Sequence, residues 1–97
     1  MAVAPVTQKF AEALNNKFEG KEFTTMAGRK FDRIVVTFAG EHNRSVHAFV
    51  ERETGMLFKS ASWQAPAKNA RYDISTDESF AQTVELADWA GSYLYQR

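Results

Sequence analysis

The stretch VHAFVERETGMLFKSASWQAPAKNARY, residues 46–72, decides how this chain folds. Its first part predicts two strands on either side of Thr54-Gly55, because a glycine there supplies the positive φ that a tight hairpin needs. Pro66 then keeps the backbone extended and excludes a regular helix or strand through that point. We therefore expect a hairpin that runs into an extended loop carrying Trp63, Lys68, Arg71 and Tyr72.

The segments before this hairpin predict one helix and further strands. Residues 5–19 have helical spacing, with Pro5 suited to the first turn and Gly20 to the end. The apolar face of this helix carries Val6, Phe10, Ala13, Leu14 and Phe18. Strands are expected over residues 22–26, 30–39, 45–53 and 56–61, with a polar turn at 40–44.

After an irregular stretch at 62–76, the C-terminal part predicts a long second helix. Ser75 or Thr76 suits its N-cap, Asp77 and Glu78 suit its dipole, and we expect it to run to about residue 95. The stripe that faces the sheet is Phe80, Val84, Ala87, Gly91 and Leu94. The predicted fold class is α+β, with an N-terminal helix, a three- to four-stranded antiparallel meander and a long C-terminal helix packed on the sheet.

A second apolar stripe is expected on the opposite side of this last helix. At 100° per residue, Leu86, Trp89 and Tyr93 lie together and away from the sheet-facing stripe. Two arrangements account for it. Either the first helix or the loop at Trp63 covers the stripe within one chain, or the stripe is an interface for a homodimer or another protein.

Size and composition predict one globular domain inside the cell. The chain has 97 residues, 44% hydrophobic and 25% charged, and no cysteine. Disulfides and thiolate metal sites are therefore excluded, and a reducing compartment is favoured. The N-terminus has no signal-peptide pattern, and no apolar run approaches the roughly 20 residues of a membrane span. We expect a soluble, cytoplasmic protein without a membrane partner.

The charges are balanced overall but unevenly placed. Residues 21–72 contain nine basic and five acidic residues, whereas residues 73–97 contain five acidic residues and one arginine. This predicts a basic middle and an acidic C-terminal element. The excess is smaller than in a dedicated DNA-binding domain.

The residues that carry most enzymatic chemistry are missing from this chain or badly spaced. His42 and His47 lie five apart, which fits neither a helical nor a strand pair of metal ligands. No phosphate-binding glycine loop or nucleophile-elbow pattern is present, and Glu51 and Glu53 flank an arginine at an exposed hairpin tip. We expect structural histidines, no metal, no cofactor and no catalytic activity.

Basic residues interleaved with aromatic residues are the remaining functional signal. Phe31 and Arg33 share a strand face, and further aromatic and basic residues follow after Phe58. Single-stranded nucleic acid is bound by such mixtures, since bases stack on rings while cations follow phosphates. The predicted binding residues are Arg33, Arg44, Lys59, Trp63, Lys68, Arg71 and Tyr72. The alternative is that the rings belong to the core and the cations are solvated.

The run TGMLFKSASWQAPAKNARYDI, residues 54–74, resembles a motif of short uncharacterised proteins of tailed bacteriophages. In that motif a T-G turn is followed by a lysine, A-S-W, A-P-A-K and an arginine, matched here by Thr54-Gly55, Lys59, 61–63, 65–68 and Arg71. The string at 90–94 also resembles the endings of those proteins, whereas positions 69–70 depart from them. The resemblance implies a phage gene product in the bacterial host cytoplasm or the virion, and no particular activity.

Two hypotheses follow from these observations. The first is a small phage accessory protein that binds nucleic acid through its basic sheet and the loop 63–72. The second is a protein-interaction module, a host-factor binder or virion component, that uses the face of Leu86, Trp89 and Tyr93. Trp and Tyr are enriched among the residues that anchor protein interfaces.

Overall fold

A computed structural model of the chain describes residues 2–38 and 44–95, so the predicted turn at 40–44, including His42, lies almost wholly outside the described residues. The class is α+β, as predicted, with one helix before and one helix after the strands of an antiparallel sheet in chain order. In chain order the elements are α1 Pro5–Lys17, β1 Lys21–Met26, β2 Phe31–Phe38, β3 Arg44–Glu51, β4 Met56–Phe58, β5 Tyr72–Asp73, α2 Asp77–Leu86 and a 3₁₀ helix Ser92–Tyr95.

The sheet has five antiparallel strands in the order β1-β2-β3-β4-β5, so each strand pairs with its neighbours in sequence. The predicted hairpin is β3–β4, and Gly55 has the expected positive φ of +77°. A fifth strand was missed. Its two residues pair with Met56 and Leu57 of β4, and β4 ends at Phe58 rather than at residue 61.

The core lies between one face of the sheet and the two helices. Phe10 and Leu14 of α1 are buried there as predicted, while Val6 and Phe18 are partly buried at its margin. The ring of Phe10 meets that of Phe80 of α2 edge to face, with centroids 5.6 Å apart. The sheet contributes Phe23, Ile34, Val36, Ala48, Val50 and Leu57, and Ile74, Tyr93 and Leu94 complete the core.

The N-terminus of α1 is held by a carboxylate from the sheet. This helix has no side-chain cap of its own and no acidic residue in its first turn. Instead, Oδ2 of Asp32 accepts hydrogen bonds from the backbone N–H of Ala4 and the hydroxyl of Thr7, both at 2.8 Å. Oδ1 of the same carboxylate forms an ion pair with Arg52. A negative charge at a helix N-terminus is stabilising because the unpaired N–H groups and the dipole point toward it.

Our prediction of a long C-terminal helix is wrong, because α2 ends at Leu86. Lys17 at the end of α1 donates from Nζ to the carbonyl oxygens of Val84, Glu85 and Ala87, at 2.7–2.8 Å. These carbonyls belong to the last turn of α2, where a cation is favoured. Ala87 is extended, with φ −65° and ψ 142°, so the chain leaves the helix at this point.

The 3₁₀ helix after α2 has a cap of its own. Asp88 accepts hydrogen bonds from the backbone N–H and hydroxyl of Ser92 at 2.9 and 2.8 Å, and from the backbone N–H of Tyr93 at 3.2 Å. Burial acts to raise the pKa of Asp88, but hydrogen bonds from Ser92, Gly91 and Tyr93 hold that pKa below its ordinary value. Two short helical segments therefore replace one long helix.

The side chain of Asn15 in α1 bonds to β1, the strand at the outer edge of the sheet. Its side-chain amide donates to the carbonyl oxygen of Phe23 at 2.8 Å and accepts from the backbone N–H of Phe23 at 2.7 Å. An unpaired strand edge is a template for association with another strand, and a side chain bonded there blocks it. Among the described residues, no helix is long and apolar enough to cross a membrane.

Candidate nucleic-acid interface

The face of the sheet opposite the helices carries aromatic rings and arginines. Arg33 of β2 pairs with Phe49 of β3, which pairs with Phe58 of β4, so the three form a row across the strands. Phe31 lies beside this row, with its ring edge-to-face against both Phe49 and Phe58 at centroid distances of 6.3 and 5.3 Å. Phe31 and Arg33 lie two residues apart on one strand and so share this face, as predicted.

The loop of residues 59–71 returns against this face. Arg33 donates from Nε to the carbonyl oxygen of Trp63 at 2.7 Å, and the hydroxyl of Ser60 donates to the carbonyl of Val46 at 3.2 Å. Within the loop, the backbone N–H of Ala61 donates to the carbonyl of Ala65. The loop predicted as irregular is therefore ordered by its own backbone and by the sheet beneath it.

Cations and rings alternate from the sheet to the loop. The guanidinium carbon of Arg33 lies 5.5 Å from the centroid of Phe49 and 6.0 Å from that of Trp63, and the guanidinium carbon of Arg44 lies 5.3 Å from the centroid of Trp63. Contacts of this kind contribute about 0.5–1 kcal/mol at exposed sites. We call the set of Phe31, Arg33, Arg44, Phe49, Phe58 and Trp63 the aromatic–arginine surface.

Three of the seven predicted binding residues, Arg33, Arg44 and Trp63, therefore lie together, and the other four lie elsewhere. Lys59 is near the 3₁₀ helix, with Nζ 4.2 Å from the ring centroid of Tyr95. Lys68 is exposed on the loop, and Arg71 is half-buried, with its backbone N–H bonded to the carbonyl of Leu57.

Tyr72 does not have the predicted position. Its ring stacks on that of Tyr93 with centroids 5.8 Å apart, and its hydroxyl donates to the carbonyl of Tyr93 at 3.1 Å. Tyr72 packs against the hydrophobic core as part of β5. A ring held in this way is not presented for base stacking, so Tyr72 is removed from the candidate site.

Phe49 is the member of this surface that the sequence reasoning missed. It lies between the core residues Ala48 and Val50, and strand alternation places it on the opposite face from them. The alternation of side chains along the strand could therefore have identified Phe49 as a residue of this surface. A bulge two residues before Phe49 interrupts that alternation: Ile34 pairs with Ala48 and Val35 with Val46, which leaves His47 as the extra residue.

The bulge turns His47 into the core, so it belongs to the fold rather than to this surface. Its Nε2 shares a hydrogen bond with the hydroxyl of Tyr93 at 2.8 Å, and its ring meets that of Phe23 edge to face. Burial lowers the pKa of His47 to about 4, while a backbone hydrogen bond with Trp89 and the charge of Asp88 oppose that shift. Its Nδ1 makes no hydrogen bond of ordinary geometry with the described residues, and burial is the largest effect on the pKa of His47.

The second predicted interface is not one helical face. Leu86 ends α2 and is 58% exposed, Trp89 follows the helix and is 43% exposed, and Tyr93 is 5% exposed within the core. Nζ of Lys21 lies 4.8 Å from the ring centroid of Trp89. Leu86 and Trp89 remain available at the surface, and Tyr93 does not. In the part of the chain that the structure describes, no group of three or more His, Asp or Glu could hold a metal ion.

The fold and this surface define a small α+β protein with a five-stranded antiparallel sheet, helices on one face and aromatic and arginine side chains on the other. Residues 2–96 match a family of unknown function, DUF7717, and the chain belongs to that family. No curated protein and no solved structure matches the chain.

Proposed function

We propose that this protein binds single-stranded nucleic acid on the aromatic–arginine surface. The observation that carries the proposal is that Arg33 and Arg44 both lie against the partly exposed ring of Trp63, on the face of the sheet opposite the described helices. Unpaired bases stack on aromatic rings and guanidinium planes, and arginines neutralise phosphates. A base pair in a duplex offers no such free π-face, so single strands fit this surface better than duplexes do.

The basic residues of the loop and of the neighbouring strand support the same proposal. Arg44 is exposed at the end of the cation–ring row, and Lys68 is exposed on the loop that carries Trp63. Arg71 lies at the end of this loop, on the same basic middle segment. These cations attract a polyanion while the rings hold individual bases. The bacteriophage setting and the host cytoplasm, which rest on the motif at 54–74, are part of the proposal.

Replacing Trp63 by alanine is expected to weaken oligonucleotide binding by about 1–3 kcal/mol, because one stacked base is lost. The measurement is fluorescence anisotropy of a labelled 20-nucleotide single strand, titrated at low and at moderate salt. Affinity of the unmodified protein should fall steeply as salt rises, since phosphate neutralisation releases counterions. Trp89→Ala is the matched control, because Trp89 is the chain's other tryptophan and lies outside the surface. Unchanged affinity in Trp63→Ala, or binding indifferent to salt, would contradict the proposal.

A protein-interaction role is the second candidate, favoured by the exposure of Leu86 and Trp89. Leu86 also borders an open hollow of about 440 Å³, which is lined by Tyr72, Leu86, Asp88, Ser92 and Tyr93. Exposed apolar side chains next to a concave surface are common in protein interfaces. The partner would be a second copy of the chain, a host protein or a virion component.

For this candidate, Trp89→Ala is expected to convert a dimer into a monomer, with circular dichroism unchanged. Light scattering of the two proteins at matched concentrations measures the mass directly. Trp63→Ala is the control and should keep the oligomeric state of the unmodified protein. If the unmodified protein is a monomer, the homodimer hypothesis is wrong. The next measurement is then capture of a host protein by the unmodified protein and by Trp89→Ala.

A further inference from the structure

We infer that Arg33 is a positioning residue for Trp63 and that Arg44 makes the phosphate contact. The inference rests on the proposed function and assigns different roles to two arginines that the sequence treats alike. Both guanidinium groups approach the same indole ring, at 6.0 and 5.3 Å. Their surroundings differ, because Arg33 is half-buried between sheet and loop whereas Arg44 is exposed.

The bonding of Arg33 is directed at the protein. Its Nε–H donates to the carbonyl oxygen of Trp63 at 2.7 Å, while its guanidinium lies against Phe49, which is 2% exposed. This arrangement needs a planar group with a donor at the Nε position. Lysine has the charge but neither the plane nor that donor. Arg33 therefore ties the residue that stacks on a base to the floor of the surface.

The structure of the loop explains how Arg33 fixes the position of Trp63. Residues 61–65 turn back on themselves through the hydrogen bonds from the N–H groups of Ala61 and Ser62 to the carbonyl of Ala65. This small turn projects from the pair formed by Ser60 and Pro66. The bond from Arg33 reaches the turn at Trp63, so it sets the distance between the indole ring and the sheet. A ring held in advance loses less freedom when a base stacks on it.

Four variants separate positioning from charge: Arg33→Lys, Arg33→Met, Arg44→Lys and Arg44→Gln. Each is made in a Trp89→Phe background, so that Trp63 is the remaining source of indole fluorescence. Two quantities are measured for each: the affinity for a 20-nucleotide single strand as a function of salt, and the emission of the free protein. Circular dichroism confirms that each variant folds.

We expect both Arg33 variants to lose affinity alike, by about fivefold or more, while the salt slope stays unchanged. The emission of Trp63 in the free protein should shift to the red in both, as the ring moves into water. Arg44→Gln should lower the salt slope by about 0.7, the amount for one phosphate on a single strand. Arg44→Lys should keep the slope, and neither Arg44 variant should move the emission as the Arg33 variants do.

The inference is overturned if Arg33→Lys binds as the unmodified protein does, or if Arg33→Met lowers the salt slope by about 0.7. The first result would remove the positioning role of Arg33, and the second would make Arg33 a phosphate contact. If the unmodified protein binds no oligonucleotide, the proposed function is wrong, and the role assigned to Arg33 is wrong as well. The two failures are therefore distinct, since the first occurs only in a protein that binds.

Discussion

Replacing Asp32 by asparagine is expected to lower the free energy of unfolding by about 3 kcal/mol, because it removes the buried charge that pairs with Arg52. The carboxylate is fully buried and holds four donors: the N–H of Ala4, the hydroxyl of Thr7, the N–H of Gly28 and the guanidinium of Arg52. Removing one partner of a buried ion pair costs about 3–5 kcal/mol, because the other charge is left uncompensated. Arg52 is 25% exposed, so water recovers part of that cost.

Urea denaturation at pH 7 measures this loss. Glu53→Gln is the control, because it removes a carboxylate from the neighbouring exposed turn and is expected to change stability by less than about 0.5 kcal/mol. Arg52→Met tests the pairing, and the double variant should cost less than the sum of the two single losses. A loss below about 1 kcal/mol in Asp32→Asn would mean that the carboxylate does not hold α1 to the sheet.

The local parts of this fold could be predicted from sequence, and the parts that depend on distant contacts could not. Pro5 and the helical spacing of apolar residues after it were sufficient to predict α1. Thr54-Gly55 was sufficient to predict the β3–β4 hairpin. The two residues of β5 have no strand pattern of their own and become a strand only by pairing with β4. Asp32 looked like a polar residue at the start of a strand, yet its partners come from three other segments.

The end of α2 shows why the helical periodicity misled. The spacing of apolar residues continues through Leu94, but the lysine bonded to the last carbonyls of the helix lies 67–70 residues away in sequence. Asp88 could have been recognised as a cap for a new segment, since Gly91 and Ser92, three and four residues later, are residue types typical of turns. The two apolar stripes were therefore drawn by assuming one continuous helix, whereas their residues belong to two separate segments.

The candidate surface was predictable to a similar extent. Strand alternation was sufficient to place Phe31 and Arg33 on one face, and the loop was recognised as the second contributor. The loop is bonded to the sheet through backbone carbonyls, from Arg33 to Trp63 and from Ser60 to Val46, and a sequence does not show which backbone acceptors are used. For the same reason Tyr72 and Trp63, nine residues apart, could not be assigned to opposite sides of the sheet.

Acidification from pH 7 to pH 5 is expected to remove about 2 kcal/mol of stability through His47 alone. Burial lowers the pKa of this imidazole from 6.5 to about 4 in the folded protein, although a backbone hydrogen bond with Trp89 and the charge of Asp88 oppose the shift. The unfolded chain therefore binds a proton below pH 6.5, whereas the folded protein binds it only near pH 4. The stabilisation is fully present above pH 6.5 and is lost as the pH falls toward 4, for a total of about 3 kcal/mol.

His47→Gln isolates this contribution, because glutamine offers a polar group to the hydroxyl of Tyr93 but does not titrate. Urea denaturation of both proteins at intervals between pH 5 and pH 7 gives two stability curves, and all other side chains are common to both proteins. The difference between the curves should shrink by about 2 kcal/mol as the pH falls to 5. Tyr93→Phe is the control: it should lose about 1 kcal/mol at every pH, with the wild-type slope retained. Parallel curves for the unmodified protein and His47→Gln would mean that His47 is protonated as readily in the folded protein as in the unfolded chain.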